Sequence, residues 1–161
     1  MKHNAAFWIT LARSVMALGL GLITVMVLAA CAPAATPTPA PSSTITGIVW
    51  QWTSVTNKTT QETTTVPNPE IYTIVFNADG TLTGKADCNS FSGTYSQENG
   101  FTIKLGPSTM AYCGEASMDQ QYLQLLGSVA AGGPDGQGGL ALETAGGEQR
   151  MLFKNGGAAP K

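Results

Sequence analysis

The sequence predicts a mainly β protein with one α-helix, a small antiparallel sheet, strongly curved or barrel-like, packed on that helix. Three observations point there. From Ile45 onward the apolar residues alternate with period two in short runs, which is the mark of half-buried strands. The runs are separated by Asp-Gly and Asn-Gly turns at Asp79-Gly80 and Asn99-Gly100, which supply the positive φ of tight hairpins. A single helical stripe occurs late, so there is no strand–helix alternation of the kind that builds parallel sheets.

In chain order, Ile48 to Trp52 reads as a first strand with Trp50 and Trp52 on one face. Thr53 to Pro69, polar and rich in Thr, reads as a long loop. Ile71–Asn77 is the strongest strand, and Thr81–Asp87 returns after the Ala78-Asp79-Gly80 turn. Cys88-Asn89-Ser90 forms a polar corner. Phe91–Gln97 and Phe101–Leu105 are the next two strands, joined across Glu98-Asn99-Gly100; Gly106-Pro107-Ser108 breaks the second, and Thr109–Cys113 adds a short strand. The helix begins at a capping box, Ser117 to Gln120, with Ser117 as N-cap and Asp119 at the positive end of the dipole. Met118, Tyr122, Leu125, Leu126 and Val129 form one apolar stripe, expected to pack on the core. Gly132-Gly133-Pro134 ends the helix. Leu140–Glu143 and Arg150–Lys154 close the domain as a hairpin across Ala145-Gly146-Gly147, and Asn155–Lys161 is expected to fray.

Ahead of this unit lies a different composition. Residues 1–30 read as a signal peptide: Lys2, His3 and Arg13 are followed by sixteen uncharged, apolar residues, Val15 to Ala30. That run is short for a spanning helix and ends in small residues. Leu28-Ala29-Ala30-Cys31 resembles the lipobox of bacterial lipoproteins, in which the chain is cut before the cysteine and the cysteine is acylated; an uncleaved N-terminal anchor is the alternative. Residues 31–44 comprise the lipidated Cys31 and a Pro/Thr/Ala-rich tether, whose prolines favour polyproline II and span about 37 Å when extended. Residues 45–155 form the folding unit, extracytoplasmic and anchored to the membrane or envelope through its lipid.

Composition excludes several function classes. The 161-residue chain has one histidine, His3, which leaves with residues 1–30. Without histidine there is no Ser-His-Asp or Cys-His chemistry and no histidine-based zinc or copper site, so neither cofactor nor metal is expected. After cleavage six cations face ten acids, a net charge of −4 with no basic run, which argues against nucleic acid as a partner. Three cysteines leave an odd one. If Cys31 is acylated, Cys88 and Cys113 are the natural pair in an oxidising compartment; two buried free thiols are the alternative.

The ordered pieces of this chain are similar to those of the META domain, the module of HslJ-like bacterial envelope lipoproteins. They are Gly47-Ile48-Val49-Trp50, Phe76 to Gly80, Gly84 with Cys88-Asn89, Phe91-x-Gly93-x-Tyr95, Ser108 to Cys113, the Tyr122 to Leu126 helix and Leu152-Phe153. The resemblance implies a β-rich, barrel-like fold with one helix and does not imply an enzyme. It associates HslJ-like members with heat response and drug resistance. At Ala130–Gly136 the chain departs from the family's aromatic-containing strand, so an irregular penultimate strand is expected there.

Candidate binding or structural positions are Asn89, Gly93, Tyr95 and Thr109. Asn89, in a corner beside a cysteine, is expected to satisfy local backbone groups or adopt the left-handed conformation, with a ligand contact as the alternative. Gly93 allows close packing or a bulge, and Phe91 and Tyr95 share its face as core rather than as a binding platform. Asp87, Glu115 and Asp119 flank the cysteines; carboxylate acid–base work or calcium binding is conceivable, but no Asp-x-Asp spacing supports calcium. Three functions remain: a non-catalytic envelope module that binds a protein or small ligand or serves under stress, an inhibitor of an extracytoplasmic enzyme such as a lysozyme, and a hydrolase using carboxylates alone.

Overall fold

The computed structural model describes residues Thr44–Pro160. The expected signal segment, Cys31 and the expected tether up to residue 43 lie outside the described residues.

Nine strands and one helix make up the described chain: β1 (Ile48–Asn57), β2 (Thr63–Thr65), β3 (Tyr72–Phe76), β4 (Thr81–Ala86), β5 (Asn89–Ser96), β6 (Thr102–Ser108), α1 (Asp119–Gly127), β7 (Val129–Pro134), β8 (Leu140–Thr144) and β9 (Gln149–Ala158). The strands form one antiparallel sheet in the order β6-β5-β4-β3-β1-β9-β8-β7, with β2 paired to the far half of β1. The sheet curls into a half-barrel. Its two outer strands approach where the Phe101 N–H donates to the Ala130 carbonyl at 3.1 Å. The predicted class is therefore the observed one.

Alternation explains which residues fill the interior. Tyr72, Ile74 and Phe76 of β3, Leu82 and Ala86 of β4, and Leu140 and Leu142 of β8 all point inward at period two. In β1 the inward set runs Trp50, Trp52, then Val55; the phase changes at an irregularity between Trp52 and Ser54. Gly84 faces inward beneath the Phe91 ring, and a β-carbon there would collide with that ring and with the Thr73 carbonyl. From α1, Tyr122 and Leu126 are completely buried. Tyr122 stacks on Trp52 with centroids 5.0 Å apart and meets Tyr72 edge-on at 5.8 Å. Side chains thus fill the space between helix and sheet.

The structure corrects several local expectations. Thr53–Pro69 is not one long loop: β1 continues to Asn57 and β2 folds back on it, the turn being held by the Asn57 side-chain oxygen, which accepts from the Thr59 and Thr60 N–H groups. Threonine is β-branched and suits a strand even where nothing apolar marks the face. Gly106-Pro107-Ser108 does not end β6. Gly106 and Pro107 lie where the register shifts opposite Ser92 on an outer strand, a place where a missing N–H is tolerated. Thr109–Cys113 forms no strand. At the helix start, Met118 is the N-cap and the Ser117 hydroxyl accepts only from the Asp119 N–H, so the capping box does not form. The helix stops at Gly127 rather than at the expected Gly132-Gly133-Pro134, and Val129, counted in the helical stripe, instead begins β7, which is irregular between Val129 and Ala131 and is ordered by its ladder with β8 rather than by its own side chains. Residues 155–158 do not fray: they pair with β1 as the end of β9, and the Ala159 N–H donates to the Gly47 carbonyl at 2.9 Å.

Candidate functional site

The polar corner between β4 and β5 organises the most unusual surface of the molecule. Asp87 turns the chain with φ of +61°, a conformation that Asp tolerates better than most residues, and its N–H is taken by the Ile71 carbonyl at 2.9 Å. That turn leaves the Cys88 side chain exposed and sends Asn89 inward, where it is 3% exposed. Cys88 and Cys113 form a disulfide with Cα atoms 5.7 Å apart, so of the two expectations for these thiols the bridged one holds.

Asn89 is not left-handed. It begins β5, and the left-handed residue is Asp87. Nor are its bonds local. Its side-chain oxygen accepts from the Ala111 N–H at 2.8 Å and from the Thr109 hydroxyl at 3.0 Å. Its amide donates to the Ala111 carbonyl at 3.0 Å and to the Asp119 carboxylate at 3.1 Å. The Ala111 N–H fixes which end of the amide is oxygen, so one buried side chain binds both backbone groups of a residue 22 positions away. Thr109 adds two further ties: its N–H donates to the Ser90 carbonyl at 3.0 Å, and its hydroxyl accepts from the Ser90 N–H at 2.9 Å.

The segment held in this way, Thr109 to Cys113, presents its other side to solvent. Met110 is 94% exposed and Tyr112 is 81% exposed, the two large apolar residues that the core leaves out among the described residues. Their backbone N–H and C=O groups find no partner among the described residues. A scattered exposed apolar residue is ordinary. Two on a segment fixed by a disulfide and a buried amide are not, because rigid display of apolar area is what lowers the entropy cost of binding.

The carboxylates of the corner are engaged by the chain itself. The Tyr72 hydroxyl donates to Asp87 at 3.2 Å and accepts from the Met118 N–H at 2.8 Å, tying the helix start to the corner. Asp119 accepts from Asn89 and, through its other oxygen, from the Gln120 N–H at 2.8 Å. Glu115 lies on an exposed rim with Tyr112, Ser117 and Gln120. Among the described residues, no group of three His, Cys, Asp or Glu is placed to hold a metal ion. No described helix is long and apolar enough to cross a membrane.

Of the positions singled out in the sequence, the structure brings Asn89 and Thr109 together with the disulfide and places Gly93 and Tyr95 elsewhere. Gly93 lies further along β5, where a β-carbon would collide with the Lys104 carbonyl. Tyr95 packs edge-on against Phe76 at 4.8 Å and donates to the Asn77 carbonyl at 2.8 Å. Burial, and then the charge of Asp79, raise its phenol above the ordinary value. Cys31 lies outside the described residues. Sequence reasoning missed Met110 and Tyr112 as display residues and Tyr72 as a polar bridge; the only advance signal was their place beside Cys113 and in the strongest strand.

Comparison with known proteins agrees with this architecture. A family model described as META domain matches residues 43–157. The fold is similar to that in an NMR structure of a protein from Burkholderia xenovorans, with a TM-score of 0.56 and 19% identity over 77% of this chain and 94% of that one. It is also similar to that in a crystal structure of a DUF4847 family protein from Bacteroides vulgatus, with a TM-score of 0.54 and 15% identity over 68% of this chain and 93% of that one. At such identities these two likenesses concern the fold alone. No curated protein matches the chain.

Proposed function

The chain belongs to the META domain family, and on that premise we propose that it is a lipid-anchored, extracytoplasmic, non-catalytic module that binds another protein through the Thr109–Cys113 segment. The anchor rests on the sequence: the lipobox at Cys31, the preceding apolar run and the proline-rich tether. The Cys88–Cys113 disulfide supports an oxidising compartment. The chain enters the domain beside Phe76, where the Gly47 N–H donates to the Phe76 carbonyl, and β4 then runs six residues, about 20 Å, to the corner at the other end. The segment therefore sits at the other end of the sheet from Gly47.

One observation carries the reading: the interior is filled by side chains such as Trp52, Phe76, Phe101 and Tyr122, while apolar area is held rigidly outside at Met110 and Tyr112. A filled barrel suits surface interaction better than carriage of a small ligand. Engagement of Asp87 and Asp119 by the chain's own donors weighs against a carboxylate-only hydrolase. The test is site-specific photo-crosslinking of the full-length protein in bacterial membranes. A crosslinker at Tyr112 is expected to trap a discrete protein, whereas one at the exposed Thr64 of β2 does not. Equal, diffuse labelling from both positions would overturn the reading.

A further inference from the structure

We infer that the Thr109–Cys113 segment docks in the substrate cleft of an endopeptidase whose primary pocket takes large apolar side chains, with Met110 in that pocket. This rests on the binding-module reading and names the partner's class. Four features argue for it. Met110 and Tyr112 protrude, at 94% and 81% exposure, and no residue from Thr109 to Cys113 has a positive φ. The Met110 and Tyr112 backbone groups, without partners among the described residues, are free to pair as a peptidase cleft pairs with an extended substrate strand.

The third feature concerns both sides of one peptide bond. Thr109, just before Met110, is tied to Ser90 and to Asn89. Ala111, just after Met110, is held by both its N–H and its C=O on the Asn89 side chain, and Cys113 is covalently bound to Cys88. Hydrolysis of the Met110–Ala111 bond adds one water and yields a Met110 carboxylate and an Ala111 amine. Both new ends stay anchored and cannot diffuse apart, so the product blocks the cleft and the reverse reaction, which expels that water, remains competitive. Ordinary docking does not require such a clamp; surviving a peptidase does.

The fourth feature is the chemistry of the exposed pair. A glycan cleft such as that of a lysozyme calls for polar groups on the inserted loop, whereas this loop carries a thioether and a phenol ring. Their apolar bulk fits a pocket that selects large side chains.

The experiment titrates full-length protein, purified in detergent, against chymotrypsin, with trypsin as the contrast. The wild type is expected to block chymotrypsin at near-equimolar ratio and to leave trypsin active. Met110→Lys, at a site exposed enough not to disturb folding, is expected to strengthen trypsin inhibition by about 100-fold and to weaken chymotrypsin inhibition similarly. Asn89→Ala, if it folds, is expected to turn the inhibitor into a substrate cut between Met110 and Ala111. Rapid cleavage of the wild type without loss of chymotrypsin activity, or a Met110→Lys protein that gains nothing against trypsin, overturns the inference. If either occurs while the Tyr112 crosslink to a discrete protein persists, the peptidase assignment falls and the binding-module reading stands.

Discussion

Trp52 and Asn89 are both almost wholly buried, at 0% and 3% exposure, yet they hold the molecule in opposite ways. Trp52 lies among rings, stacked on Tyr122 and edge-on to Tyr72, where attraction is shared over many non-directional contacts besides the single bond its indole N–H donates to the Ser54 carbonyl at 2.9 Å. Asn89 has few neighbours that matter, each through one directed bond, and with the adjacent disulfide it orders a segment whose side chains stay in water. The first arrangement gives stability. The second gives a fixed shape to a surface, and a protein that needed only stability would have tucked Met110 and Tyr112 inside.

The largest effect is expected where packing dominates. Trp52→Ala removes the ring at the centre of the helix–sheet contact and leaves a cavity between Tyr72 and Tyr122, which costs about 4 kcal/mol. In a small domain this consumes much of the total stability. Urea unfolding followed by tyrosine and tryptophan fluorescence reads it as a fall in midpoint. A loss under about 1 kcal/mol would mean that the interior is loosely packed and would erase the contrast with the corner.

Replacing both bridged cysteines, Cys88→Ser with Cys113→Ser, comes next. The bridge closes 25 positions of sequence, and removing it frees the unfolded chain by about 3.5 kcal/mol in the loop-entropy model. The midpoint should fall nearly as far as for Trp52→Ala. The native segment should nonetheless keep its form, because Asn89 still binds Ala111. Hydrogen exchange separates the two: the Ala111 amide is expected to remain slower than those of Met110 and Tyr112. If all three exchange alike in the double variant, the covalent link alone orders the segment.

These two regions were not equally legible in the sequence. The interior was, because Tyr72, Ile74 and Phe76 or Leu82 and Ala86 announce an inward face by alternation, and Tyr122 and Leu126 by helical spacing. Where alternation failed, so did the reading. Thr63–Thr65 is exposed throughout and shows no pattern, Ala130–Gly133 is a strand only because β8 pairs with it, and Gly106-Pro107 interrupts a strand that a shifted register continues. At the corner, Asn89 and Thr109 were recognisable as residue types suited to backbone bonding, and the cysteine pair was the reading that the odd count favoured if Cys31 is acylated, with two free thiols as the alternative. What could not be read was that Asn89 reaches Ala111 and Asp119, since those contacts exist only once β5 lies beside the exit from β6. Met110 and Tyr112 were opaque for a simpler reason: apolar types predict burial, and only the folded chain shows two that escape it.

The smallest expected effect compares one hydroxyl from each region. Tyr72 stands at the corner with its hydroxyl fully used, donating to Asp87 and accepting from the Met118 N–H. Tyr122 stands in the interior, and its hydroxyl finds no hydrogen-bond partner among the described residues. Tyr72→Phe should therefore cost about 1 kcal/mol, whereas Tyr122→Phe should raise stability by up to about 1 kcal/mol by removing a buried polar atom left unpaired. Alkaline titration gives the same comparison a second reading. Burial pushes the Tyr122 phenol well above its ordinary value of 10.0, so the folded state keeps the proton that the unfolded chain releases. The stability this linkage supports is whole below pH 10.0 and is lost as pH rises beyond it toward the folded value; Tyr122→Phe should flatten that alkaline decline. Should Tyr122→Phe instead destabilise the protein as much as Tyr72→Phe, its hydroxyl must bind an internal water, adding to the directed bonds that the Trp50 and Trp52 indoles already make in the interior.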